Sequence, residues 1–133
     1  MASETRVPIT SAEDIVTARQ HVRSLATELG FDGAEVTLIA AAISEVSRNI
    51  VEYAKCGEII LRSENHGARH GLCVVARDHG PGIADVAQAM QYGFSSRKGL
   101  GVGLPGAKWL MDEFDIESKV GVGTTITMKK WLS

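Results

Sequence analysis

Cysteine is scarce in this sequence. Its 133 residues hold two, Cys56 and Cys73, both in strand-like runs and without C-x-x-C spacing. Buried thiols in a reducing cytosol fit that usage, with one structural disulfide as the alternative. Long apolar runs are missing too. No stretch approaches the roughly 20 residues of a membrane span, and the opening MASETRVPIT lacks the apolar centre of a signal peptide. A cytoplasmic chain without a membrane partner is therefore expected. Nor does one charge sign dominate: the net charge is −2 and the pI 6.1, which gives no global pull toward nucleic acid or anionic lipid. Repeats, low-complexity tracts and linkers are also absent, so residues 1–133 are expected to form a single domain. The 44% apolar and 23% charged content is ordinary for a globular chain.

What is present reads as a clear order of elements. TRVPIT is a short strand, placed at a sheet edge by Pro8. Thr10 or Ser11 caps a helix whose apolar residues Ile15, Val16, Ala18, Val22, Leu25, Ala26 and Leu29 recur at helical spacing, with Gly30 closing it. A second helix is expected from about Gly33 to Ala54, with Val36, Ile39, Ala40, Ile43, Val46, Ile50 and Ala54 in one stripe. EIILRSEN and GLCVVARD then form a hairpin around HGARH. The loop DHGPGI leads into a short helix, ADVAQAM, and an irregular segment, QYGFSSRKG. A third main helix, VGLPGAKWLMD, carries Pro105 in its first turn, where proline is tolerated. FDIESKV and TTITMKKWL make a second hairpin around GVG. The expected fold class is α+β: a two-layer α/β sandwich whose mostly antiparallel sheet carries its helices on one face.

Four stretches could carry chemistry. In GFSSRKGLGVGLPGAKWL, Gly101, Gly103 and Gly106 mimic a dinucleotide fingerprint, but they follow polar residues rather than a strand and precede a hairpin. A P-loop fails as well, because Ala107 stands where its lysine must be. What survives is a glycine-rich helix N-terminus able to receive an anion, with Arg97 and Lys98 just upstream. In ISEVSRNIVEYA, Glu45 and Asn49 lie four apart on one helix face, roughly opposite the apolar stripe. They are either a solvated polar face or a general base beside an oxygen ligand for Mg²⁺. RDHGPGI places Asp78, Gly80 and Gly82 after a strand: a tight turn, or an acceptor for an exocyclic amine. GVGTT, Gly121 to Thr125, reads alone as a hairpin turn.

In this order and spacing the four stretches resemble the GHKL superfamily, the nucleotide-binding domain with the Bergerat fold shared by gyrases, ninety-kilodalton chaperones, histidine kinases and mismatch-repair ATPases. Its E-x-x-x-N, D-x-G-x-G, G-x-G-x-G and G-x-G-T patterns match Glu45 and Asn49; Asp78, Gly80 and Gly82; Gly99, Gly101 and Gly103; and Gly121, Gly123 and Thr124. The resemblance implies ATP and Mg²⁺ as cofactors. Glu45 would be the general base and Asn49 the Mg²⁺ ligand. Asp78 would accept the adenine amine, with Thr124 or Thr125 supporting that end. Gly80 and Gly82 would let the backbone approach the nucleoside. Residues from about 90 to 103 would form the ATP lid, with Arg97 or Lys98 meeting the phosphates.

Within the superfamily, a histidine kinase would need an upstream helical pair with a phosphoacceptor histidine, and His21, His66, His70 and His79 sit in no such setting. Gyrases and chaperones would need long lids and transducer domains. The chain instead looks like the small serine kinases of bacterial partner-switching systems, closest to the RsbT-type switch kinases of the stressosome. That implies phosphorylation of Ser or Thr on STAS-domain antagonist or scaffold proteins, followed by binding and activation of a PP2C-type phosphatase. The alternatives are an anti-sigma factor kinase and a non-catalytic ATP-gated binding module.

Overall fold

The computed structural model describes residues 4–82 and 103–132. In these the chain runs β1 (Glu4–Ile9), α1 (Ala12–Leu29), α2 (Gly33–Asn49), a π-helical turn (Ile50–Ala54), β2 (Gly57–His66), β3 (Arg69–Asp78), α3 (Gly103–Leu110), β4 (Glu113–Lys119) and β5 (Gly123–Trp131). The expected short helix ADVAQAM and the segment QYGFSSRKG lie outside the described residues.

All four strand pairings are antiparallel, in the order β1-β2-β3-β5-β4. Period-two alternation gives the sheet two unlike faces. One carries Val7, Ile9, Ile59, Leu61, Leu72, Val74, Ala76, Ile126 and Met128 into a core shared with Ala18, Val22 and Ala26 of α1 and the stripe of α2. The other is charged around a small patch of Ile60, Cys73 and Val75; there Arg6 and Glu58 pair across β1 and β2 at 3.2 Å. Pro8 sits on edge strand β1, where its missing N–H costs no ladder bond. The expected fold class, an α+β sandwich with helices on one face, is what forms.

Local chemistry explains the helix ends. Asp14 Oδ2 accepts hydrogen bonds from the Thr10 N–H at 2.8 Å and the Ser11 N–H at 3.2 Å, which starts α1. The Thr10 backbone bond, foremost, holds the Asp14 carboxyl below its ordinary value. Asp32 Oδ1 accepts from the Glu35 N–H at 2.8 Å to cap α2. Four expectations need correction. Val16 points out of the α1 stripe and is exposed, since the buried line runs through Ala18, Val22 and Ala26 at four-residue steps. The third helix stops at Leu110, and Met111 and Asp112 turn the chain into β4. Both cysteines are free. Cys73 is buried, and that burial pushes its thiol up, but Cys56 is exposed in the link before β2.

The fourth correction concerns α2. A single helix to Ala54 was expected, but the regular pattern ends at Asn49 and the next turn is wider: the Lys55 N–H bonds the Ile50 carbonyl at 2.9 Å, five residues back. Such widened turns are uncommon and frequent at functional sites. This one follows Asn49 directly and brings Ala54 against Gly80.

Candidate functional site

The site is built where β3 ends. Asp78 is the last residue of β3 and only 7% exposed. Its Oδ1 accepts the Gly80 N–H at 2.9 Å and the Thr124 N–H at 3.2 Å. The second of these joins residues 46 apart in sequence, because Asp78 and Thr124 are register partners across β3 and β5. Thr124 is itself buried, and its hydroxyl lies 2.7 Å from the Ser118 hydroxyl on β4. The Gly121 N–H donates to the Pro81 carbonyl at 2.8 Å. Two stretches that read separately as turns are therefore one interlocked corner. Two backbone donors fix Oδ1, and Oδ2 takes no hydrogen bond among the described residues.

Glycine is required at three points of this corner: Gly80, Gly82 and Gly123, the last with φ 142° and a Cβ that would lie 2.9 Å from the His79 Cα. Gly82 has φ 79°, in the left-handed region, and a Cβ there would lie 2.7 Å from the Lys119 carbonyl carbon. A Cβ on Gly80 would lie 2.6 Å from the Ala54 Cβ. The D-x-G-x-G loop is thus packed on one side against the β4–β5 turn and on the other against the π turn.

Glu45 and Asn49 lie on the C-terminal half of α2. The sequence placed them opposite the apolar stripe, where a solvated face was one alternative. They are not solvated: each residue is 9% exposed. Helix α3 packs on α2, and its Leu104 and Ala107 join the core. Arg48 Nη1 meets both Glu45 carboxylate oxygens, at 3.2 and 3.3 Å. Arg48 was overlooked in the sequence. Its signal was the three-residue spacing from Glu45, which puts the two on neighbouring helix positions.

The remaining expected residues divide cleanly. Gly103 opens α3. Arg97, Lys98, Gly99, Gly101 and all of the expected lid before Gly103 lie outside the described residues. Thr124 sits in the Asp78 corner. Thr125 is the register partner of Arg77, and with Arg77, Glu117 and Lys119 it lines an open cavity of about 250 Å³ that Asp78, His79 and Gly123 line as well. Among the described residues no group of three His, Cys, Asp or Glu converges to hold a metal, and no helix is long and apolar enough to cross a membrane.

The chain as a whole has counterparts among known proteins. The histidine kinase-like ATPase domain matches residues 9–130. The chain belongs to that family. It is 46% identical to the serine/threonine-protein kinase RsbT of Bacillus subtilis over 132 residues, which cover 99% of each chain. It is 31% identical to an anti-sigma F factor of Thermoanaerobacter over 121 residues, 86% of this chain and 83% of that one. Among solved structures, the RsbU and RsbW domains of a Mycobacterium tuberculosis protein superpose with a TM-score of 0.68 at 21% identity. This chain is covered in full there and spans 33% of that longer one, a likeness of fold. The resemblance drawn from the four motifs, to the GHKL superfamily and its RsbT-type branch, is borne out.

Proposed function

We infer that this member of the family is an ATP-dependent serine/threonine-protein kinase of a bacterial partner-switching module, working in the cytoplasm. The observation that carries the enzyme class is the full-length likeness, 46% over 99% of both chains, to a serine/threonine-protein kinase. The acceptors are Ser or Thr hydroxyls of STAS-domain antagonist or scaffold proteins, and the released kinase then binds and activates a PP2C-type phosphatase. Sigma-factor binding is the second reading, favoured by the anti-sigma F relatives; the lower identity and shorter coverage of those matches rank it below.

The geometry supports a division of labour. Asp78 Oδ2 accepts the exocyclic amine of adenine while Oδ1 stays tied to the backbone, so base binding needs no rearrangement of the corner. Thr124 steadies that end from β5. Gly80 and Gly82 keep the loop thin enough for the nucleoside to approach. The expected lid, with Arg97 or Lys98 and the Gly99, Gly101 and Gly103 amides, covers the phosphates. Mg²⁺ fits the donor set: a single amide oxygen, from Asn49, suits an ion held mainly by phosphate oxygens and water rather than a protein cage. When bound it would neutralise phosphate charge. Glu45 takes the proton of the acceptor hydroxyl. Phosphoryl transfer depends mostly on positioning and charge neutralisation, so this small set of groups is sufficient.

The test is direct: labelled ATP, Mg²⁺ and candidate STAS-domain proteins, with wild type beside Glu45→Ala. Label transfer by wild type alone is expected. ATP binding without transfer to any STAS protein refutes the kinase reading, and capture of a sigma factor replaces it with the anti-sigma one.

A further inference from the structure

Nothing in the four motifs assigns a role to Arg48, yet it touches the proposed base. Arg48 Nη1 lies 3.2 and 3.3 Å from the two oxygens of Glu45, so one nitrogen is shared between both. The Glu45 side chain is 12% exposed and the Arg48 side chain 31%. The carboxylate is therefore largely buried, and the guanidinium is the more exposed partner. Surface ion pairs at helical spacing contribute little. This one differs because its acid partner is buried, and a carboxylate removed from water is costly unless a cation accompanies it.

The pair also has a geometric effect. A glutamate side chain has several rotatable bonds, and its oxygens sweep a wide arc. Contact of both oxygens with one nitrogen, from a residue on the next turn of the same helix, restricts that arc. Helix α2 is capped by Asp32 at its start and closed by the π turn directly after Asn49, so Arg48 has a rigid base. In a transition state with little bond order to the nucleophile, base placement matters more than base strength.

We propose that Arg48 is a positioning residue of this kinase: it holds the Glu45 carboxylate where the acceptor hydroxyl arrives. The inference rests on the reading of Glu45 as general base. It predicts an effect mainly on turnover and a small one on nucleotide binding, since the Asp78 corner assigned to the base lies on other elements.

The experiment measures kcat for phosphate transfer to a STAS-domain acceptor, and ATP affinity in parallel, for wild type, Arg48→Ala, Arg48→Lys, Glu45→Gln and the Glu45→Gln/Arg48→Ala double variant. Arg48→Ala is expected to lower kcat about 30-fold with ATP affinity changed less than threefold, as for a misplaced catalytic group. Retained ATP affinity also reports a folded site. Arg48→Lys keeps the charge and is expected to restore at least a third of the rate. The double variant is expected to be no slower than Glu45→Gln, because residues acting as a unit are not additive. An Arg48→Ala enzyme with wild-type kcat, or one losing ATP affinity in step with kcat, overturns the proposal. So does a double variant slowed by the full product of the single effects. If Glu45→Gln itself turns over like wild type, the reading of Glu45 fails, a result separable from the Arg48 outcomes.

Discussion

Asp78 gives the sharpest test, because its two carboxylate oxygens have different duties. Oδ1 holds two backbone N–H groups, at 2.9 and 3.2 Å, and Oδ2 is assigned to the ligand. Asparagine keeps an oxygen for the backbone but removes the charge. Hydrogen bonds to charged groups contribute about 1.5–3 kcal/mol and neutral ones about 0.5–1.5, so Asp78→Asn should cost about 2 kcal/mol of stability over two bonds. Alanine leaves both donors without this acceptor, and the Thr124 N–H is buried, so Asp78→Ala should cost about 4 kcal/mol. Binding reverses the emphasis. In Asp78→Asn the amide nitrogen faces the adenine amine, donor against donor, and a loss near 3 kcal/mol weakens ATP about 100-fold. Should the amide flip, the adenine contact recovers and the backbone bonds are lost instead, so affinity and stability cannot both be spared. Urea unfolding gives the first quantity and titration calorimetry with ATP the second. An Asp78→Asn protein with ATP affinity within threefold of wild type and unchanged stability refutes the assignment, as does an Asp78→Ala protein as stable as wild type.

Other outcomes follow from single features. Gly82→Ala forces a side chain into the left-handed region and against the Lys119 backbone; a loss of about 2–4 kcal/mol is expected from urea midpoints, and an unchanged midpoint refutes the packing described. Asp14 has a folded value below its ordinary 3.8, so its contribution to α1 is fully present above that pH and is lost as pH falls through the lowered value. Stability curves of wild type and Asp14→Asn should accordingly differ at neutral pH and converge in acid; a gap that persists at the lowest pH contradicts this. Thiol titration of the native protein should find Cys56 reacting quickly and Cys73 only after denaturation. Two fast thiols, or none, would be inconsistent with the fold.

The helices and strands were legible because their periods are clean. The β-rich runs of β2 and β3, the alternation in β4 and β5 and the stripe of α2 point to the sheet and to helices packed on it. The π turn was not legible: Ile50 and Ala54 continue the stripe four residues apart, and only the backbone shows the widened turn. Glu45 and Asn49 were found by spacing and family pattern, but their burial was not, since it depends on tertiary packing that helical spacing does not encode. Asp78 was visible as an acceptor at a strand end. Its bond to Thr124 depends on strand register, which no local pattern encodes. The choice between Thr124 and Thr125 has the same origin: neighbours in a strand face opposite ways, and register decides which one meets Asp78.

That register has a consequence in time. The Asp78 loop is made early, but the strand that orders it through the Thr124 N–H lies 46 residues further along the chain. At synthesis rates of about 5–20 residues per second, the ribosome needs about 2–9 s to cover that interval. During it, β1, β2 and β3 can pair while the Asp78 carboxylate lacks its second backbone donor and Gly82 lacks the β4–β5 turn it packs against. A nascent chain therefore cannot form the complete corner before β5 has emerged. On the proposed reading, nucleotide capture becomes a late event in biogenesis: a chain with three paired strands precedes one that can hold ATP.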